Sequence, residues 1–221
     1  MRYTKIAFVC VIIIFSMLTA SGMVSRTSKV SDKVIYYEKV VALTFDDGPS
    51  RLYTNELLDG LKERGVRATF FLVGENIEGN EEIVKRMYDE GHLIGNHTYS
   101  HVKLVGMSDD AIISEISRTN EAISRITGEE VTFIRPPYGI IDERVLWDVS
   151  LTPILWSYDT NDWCSQNADC IVKNVVKNVK SGDIILMHDV YKTSVSAALR
   201  IVDELQAMGY VFVTADELII E

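Results

Sequence analysis

Apolar residues in this chain fall into two alternating kinds of run. Short, nearly continuous apolar stretches are followed by longer ones in which apolar residues recur every three or four positions. The first kind suits strands buried on both faces and the second suits amphipathic helices. Their alternation marks a βα repeat around a parallel sheet. Val40 to Phe45 is the first predicted strand, and Tyr53 to Arg64 the first helix, with Leu57, Leu58 and Leu61 on one face and Gly65 as its stop. Ala68 to Val73 and His92 to Gly95 follow as strands, separated by a helix from Glu81 to Glu90 that Gly91 ends. Ser108 caps a long helix in which Ile112, Ile113, Ile116, Ile123 and Ile126 recur at helical spacing. Val131 to Ile134, Pro153 to Ser157, Ile184 to Met187 and Tyr210 to Val213 are the later strands, and helices at Ala168 to Val179 and Ser194 to Met208 separate the last three. A regular eightfold barrel takes about 250 residues. About seven parallel strands in a shorter chain therefore predict an α/β fold of the distorted (β/α) barrel kind.

The two ends of the chain read differently. Arg2 and Lys5 precede an apolar stretch from Ile6 to Ala20, and small or polar residues follow it. That layout is a signal peptide or an N-terminal membrane anchor over residues 1–20, and either one sends the rest of the chain out of the cytoplasm. Residues 21–33, rich in Ser, Thr and Lys, read as a linker, which leaves 34–221 as one catalytic-size domain. The formal charge is −10. An acidic surface of this kind argues against nucleic acid and against docking on anionic lipid, so any contact with a membrane is expected through the N-terminal segment alone. Cys164 and Cys170 are the cysteines of the domain, and in an oxidising compartment they are expected to pair. No segment stands out as an oligomer interface, and a monomer is the expectation.

Chemistry enters where the predicted strands end. Asp46-Asp47 closes the first apolar run ahead of Gly48-Pro49. His97 and His101 follow the third strand at a spacing that puts both imidazoles on one side if the segment takes a helical turn. Two imidazoles and a carboxylate make a catalytic zinc site with a position left for water, and a second carboxylate beside the first can act as base. Arg135-Pro136-Pro137-Tyr138-Gly139 follows another strand, and its prolines stiffen the loop that carries Arg135 and the Tyr138 N–H. His188 ends a buried strand, with Asp159 or Asp162 as its orienting carboxylate. Recurrence at strand ends gathers these groups at the C-terminal mouth of a parallel barrel. His92 has no such company and reads as structural.

These segments resemble, in order, the five motifs of the polysaccharide deacetylases, the NodB-homology domains of carbohydrate esterase family 4. They are Thr44-Phe45-Asp46-Asp47-Gly48-Pro49, His97-Thr98-Tyr99-Ser100-His101, Arg135-Pro136-Pro137-Tyr138-Gly139, Asp159-Thr160-Asn161-Asp162-Trp163 and Leu186-Met187-His188-Asp189. The resemblance implies Asp46 as general base, and Asp47, His97 and His101 as ligands of one divalent metal, usually zinc, with cobalt or another ion in some members. It further implies that Arg135 orients and tunes Asp46, that the Tyr138 N–H supports the oxyanion, and that His188 is the general acid, tuned by Asp162. Trp163, Leu186 and Pro137 would form the pocket for the acetyl group. The implied activity is removal of N-acetyl groups from an amino-sugar polymer, peptidoglycan or a chitin-like chain. An O-acetyl esterase on acetylated xylan and a non-catalytic polysaccharide-binding module are the alternatives.

Overall fold

The computed structural model describes residues 39–140 and 150–219. The expected leader 1–20 and linker 21–33 lie outside the described residues. Among the described residues eight strands form one sheet, all paired in parallel: β1 (Val40–Asp46), β2 (Thr69–Leu72), β3 (Leu93–Asn96), β4 (Phe133–Ile134), β5 (Thr152–Pro153), β6 (Tyr158–Asp159), β7 (Asp183–His188) and β8 (Val211–Val213). Seven of them run in the order β5-β4-β3-β2-β1-β7-β6, and β8 lies beside the first residues of β1. The end strands β5 and β6 do not pair among the described residues, so the curled sheet stays open there. Helices α1 (Thr54–Glu63), α2 (Glu81–Asp89), α3 (Asp109–Thr127), α4 (Ala168–Asn178) and α5 (Lys192–Ala207) connect the strands, and a short α6 (Ala215–Ile219) follows β8.

Alternation along each strand decides what faces the helices and what faces the hollow of the curl. Val41, Leu43 and Phe45 of β1, Phe70 and Leu72 of β2, and Ile185 and Met187 of β7 join one apolar core with Leu57, Leu58 and Leu61 of α1 and Val195, Ala198 and Ile201 of α5. The intervening Ala42 and Phe71 belong to a second cluster on the concave side, with Ile154, Ile184 and, from α6, Ala215 and Leu218. The same parity continues to the strand ends. Thr44 and Asp46 of β1 and Leu186 and His188 of β7 therefore fall on the concave face, and Asp46 lies opposite His188 in the β1–β7 register. A two-residue period thus carries a carboxylate and an imidazole to the same mouth.

Most predicted elements appear within a residue or two of their expected bounds. The Ser108 hydroxyl accepts from the Ala111 N–H at the start of α3, and Gly128 closes that helix at φ 80°. One strand differs. Of Pro153 to Ser157 only Pro153 belongs to a strand, β5, and β6 begins just past Ser157. Between these, the carbonyls of Ile154 and Leu155 accept from Arg135 Nε and Nη2 at 3.0 and 3.1 Å instead of from a neighbouring strand. A buried guanidinium requires acceptors on all sides, and this one takes them from the backbone. The expected Cys164–Cys170 bridge is not formed: both thiols are free and exposed. Cys164 Sγ donates to the Asn161 carbonyl at 3.2 Å, and Cys170 Sγ accepts from Asn174 Nδ2 at 3.7 Å.

His92 is structural, as its context suggests. Its Nδ1 accepts from the Ala68 N–H at 3.0 Å, and its ring stands edge-on to Phe70. Burial lowers its pKa to about 4, so the folded imidazole is neutral. The unfolded chain takes up that proton near pH 6.5, so this contribution to stability is lost as pH falls from about 6.5 and levels off below about 4. Urea midpoints should drop over that range in the wild type, and less steeply in His92→Gln. Equal slopes for the two proteins would contradict this reading.

Candidate active site

Successive residues of a strand point to opposite faces, yet Asp46 and Asp47 both face the concave mouth. The backbone explains it: Asp47 turns to φ 73°, a left-handed conformation that Asp tolerates better than most side chains. The turn is held from outside by Val73, whose N–H donates to the Gly48 carbonyl at 3.0 Å, and by Asn76, whose Nδ2 donates to the Asp47 carbonyl at 2.9 Å.

The two histidines converge without the helical turn that their spacing suggested. Thr98 and His101 take φ 63° and 53°, and the chain from His97 to His101 is an irregular loop. Side chains outside the motif hold it. Asn96 Oδ1 accepts from the Thr98 N–H at 2.7 Å, while its Nδ2 donates to the Ile116 carbonyl on α3 at 2.8 Å. Glu115 of α3 accepts from the N–H groups of Tyr99 and Ser100 at 3.1 and 2.8 Å. Asn96 and Glu115 were missed in the sequence. Asn96 sits beside His97 and carried a weak signal of position; Glu115, on the polar side of a long helix, carried none.

These loops bring Asp47, His97 and His101 into one cluster, with ligand atoms all within 4.8 Å of one another. Asp47 Oδ1 lies 3.5 Å from His97 Nε2 and 3.2 Å from His101 Nε2. The His97 Nδ1–H donates to the Arg135 carbonyl, which leaves the lone pair of neutral His97 on Nε2, facing the carboxylate. Burial lowers the His101 pKa below 6.5 against the opposing pull of Asp47, so that ring also presents a lone pair at neutral pH. Burial would raise the Asp47 pKa, yet the charges around it hold it below the ordinary carboxylate value. The carboxylate oxygen Oδ1, buried and with no hydrogen-bond partner among the described residues, faces Nε2 of both imidazoles. Acceptors turned on one another in this way fit a cation held between them, and one carboxylate with two imidazoles is a donor set suited to zinc.

Two further pairs flank the cluster. Arg135 is fully buried, and its Nη1 donates to Asp46 Oδ1 at 2.8 Å and to Thr44 Oγ1 at 2.7 Å, while the guanidinium lies 4.2 Å over the Phe71 ring. Asp46 is thus fixed and charge-paired on the side away from the mouth. Of the two carboxylates expected near His188, the structure selects Asp162. It accepts from the His188 backbone N–H at 2.9 Å through one oxygen and from Nδ1 at 2.8 Å through the other. Burial disfavours the imidazolium, but the hydrogen bond and charge of Asp162, with Asp46 and Asp47 beyond, outweigh it and raise the His188 pKa to about 9. Asp159 instead lines the cavity and accepts from the Asn161 N–H at 2.8 Å.

Asp46, Asp47, His97, His101 and His188 open onto a cavity of about 430 Å3. Its apolar walls include Trp163, Leu186, Tyr138, Trp156 and Tyr191. Pro137 is buried and does not line it; the proline forms the turn that presents Tyr138, whose φ is 63°. Trp156 and Tyr191 are additions that the motifs did not indicate. Tyr138, Trp163 and Tyr191 are all exposed at the mouth, where flat aromatic faces suit the apolar faces of sugar rings.

Comparison with known proteins points the same way. Residues 33–154 match the family model described as polysaccharide deacetylase. The chain is 41% identical over 180 residues to peptidoglycan-N-acetylglucosamine deacetylase PgdA of Listeria monocytogenes, covering 81% of this chain but only 39% of that longer protein. It is 38% identical over 201 residues to a peptidoglycan-N-acetylglucosamine deacetylase of Bacillus cereus, covering 87% of this chain and 94% of the relative. The solved structure of peptidoglycan deacetylase PdaC from Bacillus subtilis superposes with a TM-score of 0.79 at 39% identity, covering 81% of this chain and 89% of that one.

Proposed function

Because this chain belongs to the polysaccharide deacetylase family, we propose that it is a metal-dependent N-deacetylase of an amino-sugar polymer, with peptidoglycan N-acetylglucosamine as its first substrate. The names of the relatives favour peptidoglycan, and the apolar segment from Ile6 to Ala20 favours action outside the cytoplasm, secreted or anchored at the wall. The observation that carries the reading is the arrangement of three groups around one cavity. A carboxylate tied to Arg135 and an imidazolium tied to Asp162 come from adjacent strands and flank the Asp47–His97–His101 cluster.

Asp47, His97 and His101 would hold the metal, zinc in first place and cobalt as an alternative; when bound, it supplies Lewis-acid polarisation of the acetamide carbonyl and acidifies water. Asp46, held by Arg135, takes the proton from the attacking water. The Tyr138 N–H is the proposed donor to the developing oxyanion. An amine departs poorly as an anion, so His188 protonates the sugar nitrogen as the C–N bond breaks. Trp163 and Leu186 enclose the acetyl methyl, and the products are acetate and a free amino sugar.

The His188 assignment has a signed consequence. Its proton is present below a pKa of about 9 and is lost above it, so turnover should fall on the alkaline side. Asp162→Asn removes the charge that sustains the imidazolium. The alkaline limb of the pH–kcat profile should then move toward neutral, with a loss in kcat of roughly 10- to 100-fold at pH 8. An unmoved limb in Asp162→Asn would separate His188 from the acid role.

Substrate class is tested by offering the purified protein peptidoglycan, N-acetylated chito-oligosaccharides and acetylated xylan, and following acetate together with new primary amines. Equal amounts of acetate and amine from the amino-sugar substrates are expected. Acetate from xylan alone would make the protein an O-acetyl esterase, and no release from any substrate would favour a binding module.

A further inference from the structure

The residue after His188 has no part in the chemistry above, yet it is more deeply buried than any catalytic carboxylate. Asp189 is fully inaccessible to solvent, and its Oδ1 has no hydrogen-bond partner among the described residues. An orphaned carboxylate oxygen in the interior costs on the order of 1–3 kcal/mol, so a gain in stability does not account for it. Its Oδ2 accepts from the Thr54 hydroxyl at the start of α1, and Thr54 Oγ1 in turn accepts from the Ser50 N–H at 2.7 Å. The carboxylate lies flat against Gly48. A β-carbon on that glycine would sit 2.5 Å from both Asp189 oxygens and 2.8 Å from Cγ. Gly48 is not at positive φ, so the approach of Asp189, and not the backbone angle, is what demands glycine there.

We propose that Asp189 is a positioning residue that clamps the turn Asp47–Ser50 against the end of β7 and so sets Asp47 and Asp46 relative to His188. The inference rests on the metal reading of the Asp47–His97–His101 cluster given above. Val73 and Asn76 hold the turn from β2 and the segment after it, and Asp189 with Thr54 holds it from β7 and α1. Because Asp189 directly follows His188, a single strand end fixes both the proposed acid and the turn that carries the carboxylate ligand and adjoins the proposed base. Any slack at Asp189 passes to Asp47 across one residue, Gly48.

The test reads metal affinity and not turnover alone. Co2+ is titrated into the metal-free full-length protein by absorption, with thermal melting of each metal-free variant as the measure of folding. Asp189→Ala should weaken Co2+ binding about 10- to 100-fold, the range for residues that orient metal ligands. Asp189→Asn keeps an acceptor for Thr54 and the same shape, and should restore affinity to within about threefold of wild type. Gly48→Ala should weaken binding as well, since its new methyl meets the carboxylate. In the double variant the methyl finds room, so the two losses should not multiply, and affinity should match that of Asp189→Ala alone. Where Asp189→Ala fails to melt cooperatively, Thr54→Val takes its place and should weaken binding in the same direction.

Wild-type Co2+ affinity in Asp189→Ala, or in Thr54→Val where that stands in, would overturn the clamp. So would losses that multiply in the double variant. A wild-type protein that binds no Co2+ would overturn the metal reading itself, and the clamp with it.

Discussion

Asp46→Asn should lower acetate release by roughly 100- to 10,000-fold, the span associated with loss of a positioned general base. Because Asp47, His97 and His101 are untouched, metal uptake should persist, which separates the base from the ligands. The substitution has a second effect that is legible from burial. Arg135 is fully buried, and Asp46 is its only ion-pair partner among the described residues. Removing one member of a buried pair costs about 3–5 kcal/mol, because the remaining charge is stranded. The substituted amide still offers an oxygen to Arg135 Nη1, and Thr44, Ile154 and Leu155 retain their bonds to the guanidinium, so the loss should fall toward the lower end. Urea denaturation of the metal-free protein measures the stability term, and acetate release measures the catalytic one. Activity within tenfold of wild type would remove Asp46 from the base role.

His101→Ala should abolish measurable turnover and weaken metal binding by at least about 100-fold, the upper end of what even an outer partner of a ligand costs. His101, like Asp47, is only partly buried, with 32% of its side chain accessible, so its removal leaves the buried core intact. The metal-free variant should therefore melt close to the metal-free wild type. The difference should appear on adding metal. At 100 times its dissociation constant a ligand stabilises the folded state by about 2.7 kcal/mol, and the variant should lose nearly all of that gain. Equal metal-induced shifts in melting temperature would place the metal elsewhere.

How far the sequence revealed this arrangement follows from the kind of physics each part obeys. β1 and β7 were legible because strands buried on both faces must be apolar throughout, and the polar residue that ends such a run is conspicuous: Asp46 in one, His188 in the other. Their common concave face became visible only with the strand register, which sets Asp46 opposite His188. The route by which His97 and His101 meet was not legible, because positive φ at Thr98 and His101 leaves no mark on periodicity. Nor could periodicity separate Asp159, the last residue of β6, from Asp162 three residues on; only the hydrogen bonds to His188 distinguish them. The segment from Pro153 to Ser157 looked like a strand because it is apolar, and it yields its carbonyls to Arg135, a demand set by a residue some twenty positions earlier. Pro137 belongs to a pocket motif by resemblance, while its rigid ring serves to present Tyr138. Glu115, Asn76 and Asp189 hold the loops through long-range bonds that no local pattern announces.

In the proposed function, deacetylation depends on a metal centre formed by Asp47, His97 and His101. That dependence is tested most directly by removing metal from the purified protein with a chelator and returning Zn2+ or Co2+ in measured steps, while metal content and acetate release from peptidoglycan and chito-oligosaccharides are followed together. Release should vanish in the metal-free protein and rise in proportion to bound metal, reaching a plateau at about one equivalent per chain. Undiminished release after complete metal removal, or a plateau that survives the loss of His101, would contradict the account.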